Sequence, residues 1–330
     1  MIFLIYAACG NFSTETFYFS EAVSTILIKN CVYRNVEGQA NNFGGLSNLD
    51  DVECFVDECF KAALAKGLWG RVREDNAVVL LTVPRFRQVR VTNRTCLISL
   101  FLGAACYDFF SEANESKKKF GPGTSPGYVY RRNEEGNIWF RGYYTSYNSN
   151  GFSFLTSESE GYAYLLGQGW ADDATAAIFI DFTLYSADSN LFCVVQFLFE
   201  FPPTGGVKGS FTSRAVFLLR YHTRSGHFLL FAEIMCVFLN LLNSGKIILH
   251  LIYFGRRYFV TIGLFYNLVT TVLCWYAIYC LIARFFAVDT FFKTQYGGEF
   301  VDFQPVLREH VHADTMTVLA CFFASFRLYG

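Results

Sequence analysis

The chain lacks an excess of charge of either sign. Its 27 lysines and arginines and 28 aspartates and glutamates give a formal net charge of −1 at pH 7. Proteins that bind nucleic acid usually carry a basic patch or a basic domain. The short run Lys117, Lys118 and Lys119 is typical of a solvated loop. The sequence therefore offers no electrostatic argument for a nucleic-acid partner.

Catalytic motifs are also missing. The sequence contains no CxxC pair, no GxSxG turn, no HExxH pair and no glycine-rich phosphate loop. His310 and His312 are close enough in sequence to suggest a metal pair, but no cysteine lies nearby. We interpret them as residues of an exposed loop between helices. We therefore expect no enzyme activity, no cofactor and no metal site.

Apolar residues are abundant instead. Hydrophobic residues make up 53% of the chain and aromatic residues 19%, with 38 phenylalanines, which exceeds the need of a soluble domain. Residues 258–283 carry no charge and exceed the roughly 20 residues that span a bilayer. A second segment, 226–243, is apolar except for Glu233, and a third covers 315–326. Residues 1–9 are apolar but lack the basic start of a signal peptide.

The orientation follows from the loop between the first two complete spans. This loop, residues 244–257, contains no acid and three basic residues, Lys246, Arg256 and Arg257. The positive-inside rule places such a loop in the cytoplasm, so residues 11 to about 222 are expected outside the cytosol. That region contains three glycosylation sequons, which begin at Asn11, Asn93 and Asn114.

Cysteine usage fits an oxidising compartment on that outer side. Six of the eleven cysteines lie there: Cys31, Cys54, Cys59, Cys96, Cys106 and Cys193. Six cysteines allow fifteen pairings, and the sequence alone does not choose among them. Cys54 and Cys59 are five residues apart on a predicted helix, so they point to different faces and no bond between them is expected.

The outer region predicts an α+β domain. Asn48 and the acids after it predict a helix that runs to about residue 65. Residues 178–185 alternate with period two, which is typical of a strand with one buried face. A turn at 186–190 leads to a second, more apolar strand, which the prolines after residue 201 end. Short strands and helices in one block indicate an α+β fold.

The predicted hairpin also carries a family resemblance. The stretch IDFTLYSADSNLFCVVQFLFEFPPTGGV, residues 180–207, resembles the segment that closes the extracytosolic domain of polycystin-type TRP channels. The resemblance covers residues 47–206 and continues more loosely through the helices beyond. Its other matching positions are VPRFRQVRV at 83–91, Cys96, Cys106 with Tyr107, Phe120 to Pro122, and the turn at 147–152 with Gly151.

The resemblance implies a specific architecture. It implies an α+β extracytosolic domain, an antiparallel sheet with helices, inserted between transmembrane helices of a voltage-sensor-like bundle. Residues 1–10 are then the end of a truncated first membrane helix and 11–222 the polycystin domain. Residues 223–330 are the second and third helices and the start of the fourth. The resemblance also implies a disulfide between Cys96 and Cys106.

Glu233 is the candidate functional residue within a span, because an ionisable side chain there is costly. In the family, acids on the second and third helices pair with cations on the fourth, and Arg327 falls where such a cation is expected. The resemblance thus implies a pair between Glu233 and Arg327. The alternative is that Glu233 lies near the outer interface and is hydrated.

Several positions depart from the family pattern of charges. Thr270, Ala324 and the dipeptide Gly245-Lys246 stand where the pattern has further charged residues. Voltage dependence requires charge to move through the membrane field. We therefore do not expect strong voltage sensing.

The resemblance implies a subunit of a calcium-permeable, non-selective cation channel, a homo- or heterotetramer of polycystin-family subunits. Ca²⁺ is expected only as a permeant or regulatory ion. The outer domain would serve assembly and gating. Its aromatic residues suit either a subunit interface or the domain core; they include Phe152, Phe154, Tyr162 and Tyr164.

The family builds its pore from two further helices and a loop, which we do not find in these 330 residues. We therefore expect either a fragment of a longer channel or a degenerate relative without a pore, in contact with membrane lipid, in the plasma membrane, the cilium or the endoplasmic reticulum. The alternative is a polycystin-1-like, membrane-anchored receptor or adhesion subunit that modulates a partner channel.

Overall fold

The computed structural model describes residues 14–65, 78–94, 105–121, 128–132, 138–155, 169–222, 224–260, 262–294 and 301–326. The chain divides into two compact units. The sheet unit comprises Tyr18–Ala215 and Glu299–Val301, and the helical unit comprises Met1–Phe17, Val216–Gly298 and Asp302–Gly330. The domain boundaries at residues 10 and 222 stay predictions.

The described part of the chain up to residue 216 contains short helices and an antiparallel sheet. The helices are α1 (Thr14–Ser24), α2 (Leu49–Phe55) and α3 (Lys61–Ala65). The strands are β1 (Tyr33–Arg34), β2 (Ala40–Asn41), β3 (Val78–Leu80), β4 (Arg85–Arg90), β5 (Tyr130–Arg131), β6 (Trp139–Arg141), β7 (Ser146–Asn148), β8 (Gly151–Leu155), β9 (Thr175–Ser186), β10 (Leu191–Glu200) and β11 (Lys208–Val216).

The main sheet has the order β11-β10-β9-β4-β8-β5, and β3 also pairs with β9. The predicted hairpin is confirmed, because β9 and β10 pair antiparallel with Ser186 opposite Leu191. Asn190, in the turn between them, has a φ of 52°, a left-handed conformation that asparagine tolerates. Gly151 at the start of β8 has a φ of 143°, and a Cβ there would lie 2.4 Å from the Gln88 carbonyl oxygen. This position therefore requires glycine.

The prediction that β9 has one buried face is wrong, because both faces are buried. On one face Ile178, Ile180 and Phe182 belong to the core that also contains residues of α2. On the other face the Phe179 ring lies 3.8 Å below the guanidinium carbon of Arg87. A central strand covered on both sides buries all its side chains, so the alternation does not mark a solvent face.

Charged side chains on the second face of the sheet form hydrogen bonds across it. The Asp181 carboxylate of β9 accepts hydrogen bonds from Arg85 Nη2 at 3.1 Å and from Gln196 Nε2 at 2.6 Å. Arg87 Nη1 donates to the carbonyl oxygens of Asn148 at 2.8 Å and Asn150 at 3.1 Å. These bonds join four segments of the unit, so the charged face acts as part of the core.

The predicted helix after Asn48 is confirmed. Asn48 Oδ1 accepts a hydrogen bond from the Asp51 amide at 2.7 Å, and the Asp51 carboxylate accepts from the Ser47 amide at 2.9 Å. These two bonds satisfy amides that a helix start leaves open. Helices α2 and α3 are joined by a π-helical turn, Val56–Phe60, and the described helical run extends to Ala65.

A disulfide joins Cys31 to Cys59 and so links the segment after α1 to the π-helical turn between α2 and α3. It is one of the pairings that the sequence left open. Cys54 is a free thiol, which confirms that Cys54 and Cys59 do not pair. Cys106 is disulfide-bonded, and Cys96 lies outside the described residues, so the bond between Cys96 and Cys106 stays a prediction.

The helical unit contains α4 (Arg224–Phe254), α5 (Arg257–Val260), α6 (Ile262–Thr294) and α7 (Gln304–Phe326). Two segments, Gly226–Phe254 and Ile262–Lys293, are long and apolar enough to cross a membrane. They contain most of the two complete spans that the sequence predicts. Helix α7 begins eleven residues before the predicted 315, so His310 and His312 lie on a helix and not on a loop. The loop interpretation of these histidines is therefore wrong.

We predict that Cys59→Ser destabilises the sheet unit. The disulfide closes a loop with a sequence separation of 28, and loop-closure entropy of this size corresponds to roughly 3–4 kcal/mol. The thermal midpoint of the unit should fall by on the order of 10 °C, measured by circular dichroism of the full-length protein. Cys54→Ser is the matched control, because this free thiol lies on the same helical run. Equal midpoints for the two variants contradict the prediction.

We predict that Tyr33 limits stability at high pH. Burial, followed by the nearby Asp51 carboxylate, raises the pKa of Tyr33 from 10.0 to about 12. The unfolded chain loses the Tyr33 proton at a lower pH than the folded chain does. The contribution of this proton to the free energy of unfolding is therefore complete below pH 10 and is lost as the pH rises to about 12. Tyr33→Phe should reduce this loss of stability at high pH. The measurement is the thermal midpoint as a function of pH.

The same substitution should not lower stability at neutral pH, because the buried Tyr33 hydroxyl has no hydrogen-bond partner among the described residues. The exposed Tyr143 offers the matched control Tyr143→Phe. A Tyr33→Phe profile that still follows the wild-type decline above pH 10 would show that another group is responsible.

Candidate functional site: a buried ionic cluster in the helical unit

Six polar side chains of the helical unit meet in one buried cluster. They are Arg220 and Tyr221 before α4, Glu233 on α4, Arg284 on α6, and His310 and Asp314 on α7. Helices of this composition bury mainly apolar surface, so a group of charges among them is the feature that needs a functional explanation.

Glu233 lies at the centre of the first pair. Its Oε1 atom lies 3.6 Å from Arg220 Nη1, and its Oε2 atom accepts a hydrogen bond from the Tyr221 hydroxyl at 2.6 Å. The Arg220 side chain is 3% exposed and that of Glu233 13%. The carboxylate is therefore held inside the unit by one cation and one hydroxyl donor.

Arg284 and Asp314 form the second pair. Arg284 Nη1 lies 3.4 Å from Asp314 Oδ1, and His310 Nε2 lies 3.4 Å from Asp314 Oδ2. Both acids and both arginines of the cluster are thus matched one to one. Charge balance of this kind is what allows ionised groups to remain buried.

The two pairs influence each other. Burial, with a further contribution from the Arg284 guanidinium, lowers the pKa of Arg220 from 12.5 to about 10. Burial and then the Glu233 carboxylate raise the pKa of Tyr221 from 10.0 to about 12. At neutral pH Arg220 is therefore a cation and Tyr221 a neutral donor, which is the state that the geometry requires.

The sequence located only one member of this cluster. Glu233 is where a membrane-embedded acid was predicted, but its described partners are Arg220 and Tyr221. Arg327 lies outside the described residues, so its pairing with Glu233 stays a prediction. The other five members were not predicted. Of these, Arg284 had a signal in the sequence, because it directly follows the uncharged run 258–283.

Among the positions that depart from the family pattern, Thr270 is described in most detail. Its side chain is buried, and its Oγ1 atom donates within α6 to the carbonyl oxygens of Tyr266 or Asn267. A threonine bonded to its own helix carries no charge across the membrane. His312 lies apart from His310, with its Nε2 atom 3.2 Å from the Tyr276 hydroxyl.

The sheet unit presents a second candidate surface, the aromatic turn between β6 and β7. Its exposed rings are Tyr143 and Tyr144, and Phe109 lies 6.0 Å from Tyr144. The fully buried Glu200 holds the turn from below, since its carboxylate accepts from the amides of Tyr143 at 2.6 Å and Tyr144 at 3.2 Å. Exposed aromatic rings on a fixed turn suit a protein interface.

The aromatic residues named as interface candidates lie elsewhere. Phe152 is buried in the sheet unit and Phe154 packs against its core, whereas Tyr162 and Tyr164 lie outside the described residues. Of the two suggested roles, subunit interface or domain core, the interior position of Phe152 and Phe154 therefore supports the domain core.

The described glycosylation candidates differ in their surroundings. Asn93 is exposed, and its Oδ1 atom accepts from the Cys106 amide at 3.1 Å. Asn114 is half-buried, and its Nδ2 atom, the atom that a glycan would occupy, donates to the Phe109 carbonyl oxygen at 2.8 Å. Asn11 lies outside the described residues. The geometry thus favours Asn93 over Asn114.

Comparisons with known proteins agree with this architecture. The Polycystin domain family matches residues 42–219, which is more than half of the chain. Polycystin-2 of Danio rerio is 29% identical over 97% of this chain and 37% of its own length. Polycystin-2-like protein 2 of Homo sapiens is 26% identical over 97% of this chain and 54% of its own length.

A receptor-type relative is less similar. The polycystin family receptor for egg jelly of Mus musculus is 25% identical over 50% of this chain and 9% of its own length. The chain spans about a third to a half of the polycystin-2-type relatives that it matches along nearly all of its length. With a matched polycystin domain followed by helices that continue the similarity, the chain belongs to the polycystin family and is polycystin-2-like.

Proposed function

We propose that this chain is part of a subunit of a polycystin-type, calcium-permeable, non-selective cation channel. The observation that carries the proposal is the similarity to polycystin-2-type proteins along 97% of the chain, sheet unit and helices together. Residues 11–222 would lie outside the cytosol and the helices in lipid. The two membrane-length helices and the basic loop between them support this topology.

Within this subunit the ionic cluster acts as a fixed framework and not as a mobile voltage sensor. In the family pattern the fourth helix carries cations, whereas here the acid Asp314 lies on α7 and the cation Arg284 on α6. Moving one charge through 100 mV provides about 2.3 kcal/mol, whereas removing one partner of a buried pair costs about 3–5 kcal/mol. The membrane field is therefore too weak to separate these pairs readily.

The sheet unit contributes to assembly with other polycystin-family subunits, as a homo- or heterotetramer, through the aromatic turn. The support is the exposure of Tyr143 and Tyr144 on a turn that the buried Glu200 fixes. Chemical cross-linking of the full-length protein in membranes tests this role. Recovery of monomer alone, with every polycystin-family partner co-expressed, contradicts it.

The alternative is a membrane-anchored receptor or adhesion subunit of the polycystin-1 type. The egg jelly receptor, which matches half of the chain, supports it. The channel is favoured because polycystin-2-type proteins match nearly the whole chain. A channel subunit and a receptor-type subunit would both contain the same outer unit. Ion conduction by the complete protein therefore distinguishes the two proposals.

Electrical recording of the full-length protein tests the proposal directly. We expect a cation current that Na⁺, K⁺ and Ca²⁺ all carry, in cells that express the protein alone or with a polycystin-family partner. Cells with the protein at the surface but without current, in every such combination, contradict the channel function and favour the receptor-type alternative.

We predict that Asp314→Asn lowers the amount of folded protein but leaves the slope of the conductance–voltage relation unchanged. The substitution leaves Arg284 without its ionised partner, which costs about 3–5 kcal/mol. Asp289→Asn is the control, because Asp289 forms an exposed pair with Lys293 on α6. A slope that changes in Asp314→Asn and not in the control would show that the cluster senses voltage.

A further inference from the structure

A groove of about 1250 Å³ lies in the sheet unit, at the end of the sheet where β4 and β10 end and β9 begins. This volume exceeds the roughly 300–1,000 Å³ of pockets that hold small molecules, so the groove has room for an extended ligand such as an oligosaccharide or a peptide. Its lining comes from residues 47–49, 91, 94, 105–109, 172, 173, 175, 176 and 201–207.

The charges along the groove nearly cancel. Arg94 Nη1 lies 2.7 Å from Asp108 Oδ2, and Arg90 Nη2 lies 2.6 Å from Asp172 Oδ2. The remaining acid of the lining, Asp173, forms no ion pair within the described part of the chain. A strongly charged ligand would find few opposite charges that are not already paired, so the groove favours a neutral ligand.

The lining combines hydrogen-bond acceptors with aromatic rings. The carboxylates of Asp108, Asp172 and Asp173 offer about four acceptor sites each, which is more than their described partners use. Tyr107 is half-buried, and Phe109 is 48% exposed. A sugar ring has hydroxyl donors on its rim and apolar C–H groups on its faces. Acceptors beside aromatic rings therefore suit a neutral oligosaccharide.

Asn93, the exposed asparagine of the second sequon, lies at the rim of this groove. Its Oδ1 atom accepts a hydrogen bond from the Cys106 amide at 3.1 Å, and the Arg94 amide donates to the Cys106 carbonyl oxygen at 2.8 Å. Arg94 and Cys106 both line the groove. The Asn93 Nδ2 atom makes no hydrogen bond within the described residues. The side chain is thus held by its oxygen, and the nitrogen that carries an N-linked glycan stays open.

We propose that the groove binds the inner sugars of an N-linked glycan on Asn93. Transfer from a lipid-linked oligosaccharide replaces one hydrogen of Nδ2 by the sugar C1 atom, and the lipid diphosphate leaves with the proton. In the groove, sugar hydroxyl and acetamido N–H groups donate to the aspartate carboxylates of the lining, and one sugar face packs on Phe109. The inference rests on the proposed location of residues 11–222 outside the cytosol, where such transfer occurs.

Covalent attachment favours the chain's own glycan over a free ligand. A group tethered at the rim by a short linkage is present at an effective concentration on the order of millimolar. Single hydrogen bonds and ring contacts contribute little each in water, and at this concentration a few of them are enough. An untethered oligosaccharide or a peptide of another protein would need a much larger set of contacts to bind.

Hydroxyl-radical footprinting of the full-length protein tests the proposal. The protein is produced with high-mannose glycans, and one half is treated to completion with endoglycosidase H, which leaves a single N-acetylglucosamine. Mass spectrometry first verifies the glycan on the Asn93 peptide. We expect oxidation of Phe109 to be about threefold lower in the intact glycoform, because the docked sugar covers its ring. Trp139 is the matched control, because it is 46% exposed and does not line the groove, and its oxidation should be equal in both forms.

The rate of the cleavage provides a second measurement. Endoglycosidase H cuts between the two inner sugars, so a docked glycan is cut only while it is released. We expect cleavage at Asn93 of the native protein to be about tenfold slower than in the variant Thr204→Trp, whose indole fills the groove. Thr212→Trp on β11 is the matched control, because Thr212 is also exposed but does not line the groove. This control should be cleaved as slowly as the wild type.

Three results would overturn the proposal. They are the absence of a glycan on Asn93, equal oxidation of Phe109 in both glycoforms, and equal cleavage rates of the wild type and Thr204→Trp. Low oxidation of Phe109 in both glycoforms would show that a peptide segment or a neighbouring subunit fills the groove. The footprinting uses the unmodified sequence, so it does not depend on the folding of any variant.

The location of the outer unit is tested separately. In sealed microsomes, a membrane-impermeant amine reagent should label the exposed Lys117, Lys118 and Lys119 only after detergent opens the vesicles. Labelling without detergent contradicts the proposed topology. Protected lysines together with equal oxidation of Phe109 in both glycoforms contradict the inference about the groove alone.

Discussion

A charged side chain that leaves water must meet an opposite charge or a set of hydrogen-bond donors, and this constraint organises both units. In the sheet unit it brings Arg85 and Gln196 to Asp181. It also brings two amides of the turn between β6 and β7, together with the Tyr147 hydroxyl of β7, to Glu200. In the helical unit it matches two arginines with two acids. The pair between Arg85 and Asp181 joins strands whose residues are 96 positions apart, so such charges help to specify an arrangement that the apolar residues only favour.

The same constraint bears on how the helices respond to voltage. A membrane field acts on the net charge that moves, and a cluster of two cations and two acids carries little net charge. Helix α7 moreover contributes an acid to the cluster, opposite in sign to a sensor helix of the family pattern.

Aromatic residues perform different tasks in the two units. In the sheet unit, rings of Phe55, Phe60 and Phe197 pack edge to face between helix and sheet and fill the core. In the helical unit many rings point outward, and Phe228, Phe286 and Phe322 are each more than half exposed. A soluble protein would not tolerate such a surface, whereas lipid accepts it at no cost. The high phenylalanine content therefore has two separate causes.

Local pattern alone determined much of this protein. Long apolar runs predicted the two membrane-length helices, period-two alternation and turn residues predicted the β9–β10 hairpin, and the Asn48 cap predicted the helix to Ala65. Each is set by residues that are neighbours in sequence. Tertiary structure alone decided that Cys31 pairs with Cys59, that both faces of β9 are buried, and that Glu233 meets Arg220 and Asp314 meets Arg284. These outcomes depend on which elements pack together, and no periodicity along a single segment records the approach of another.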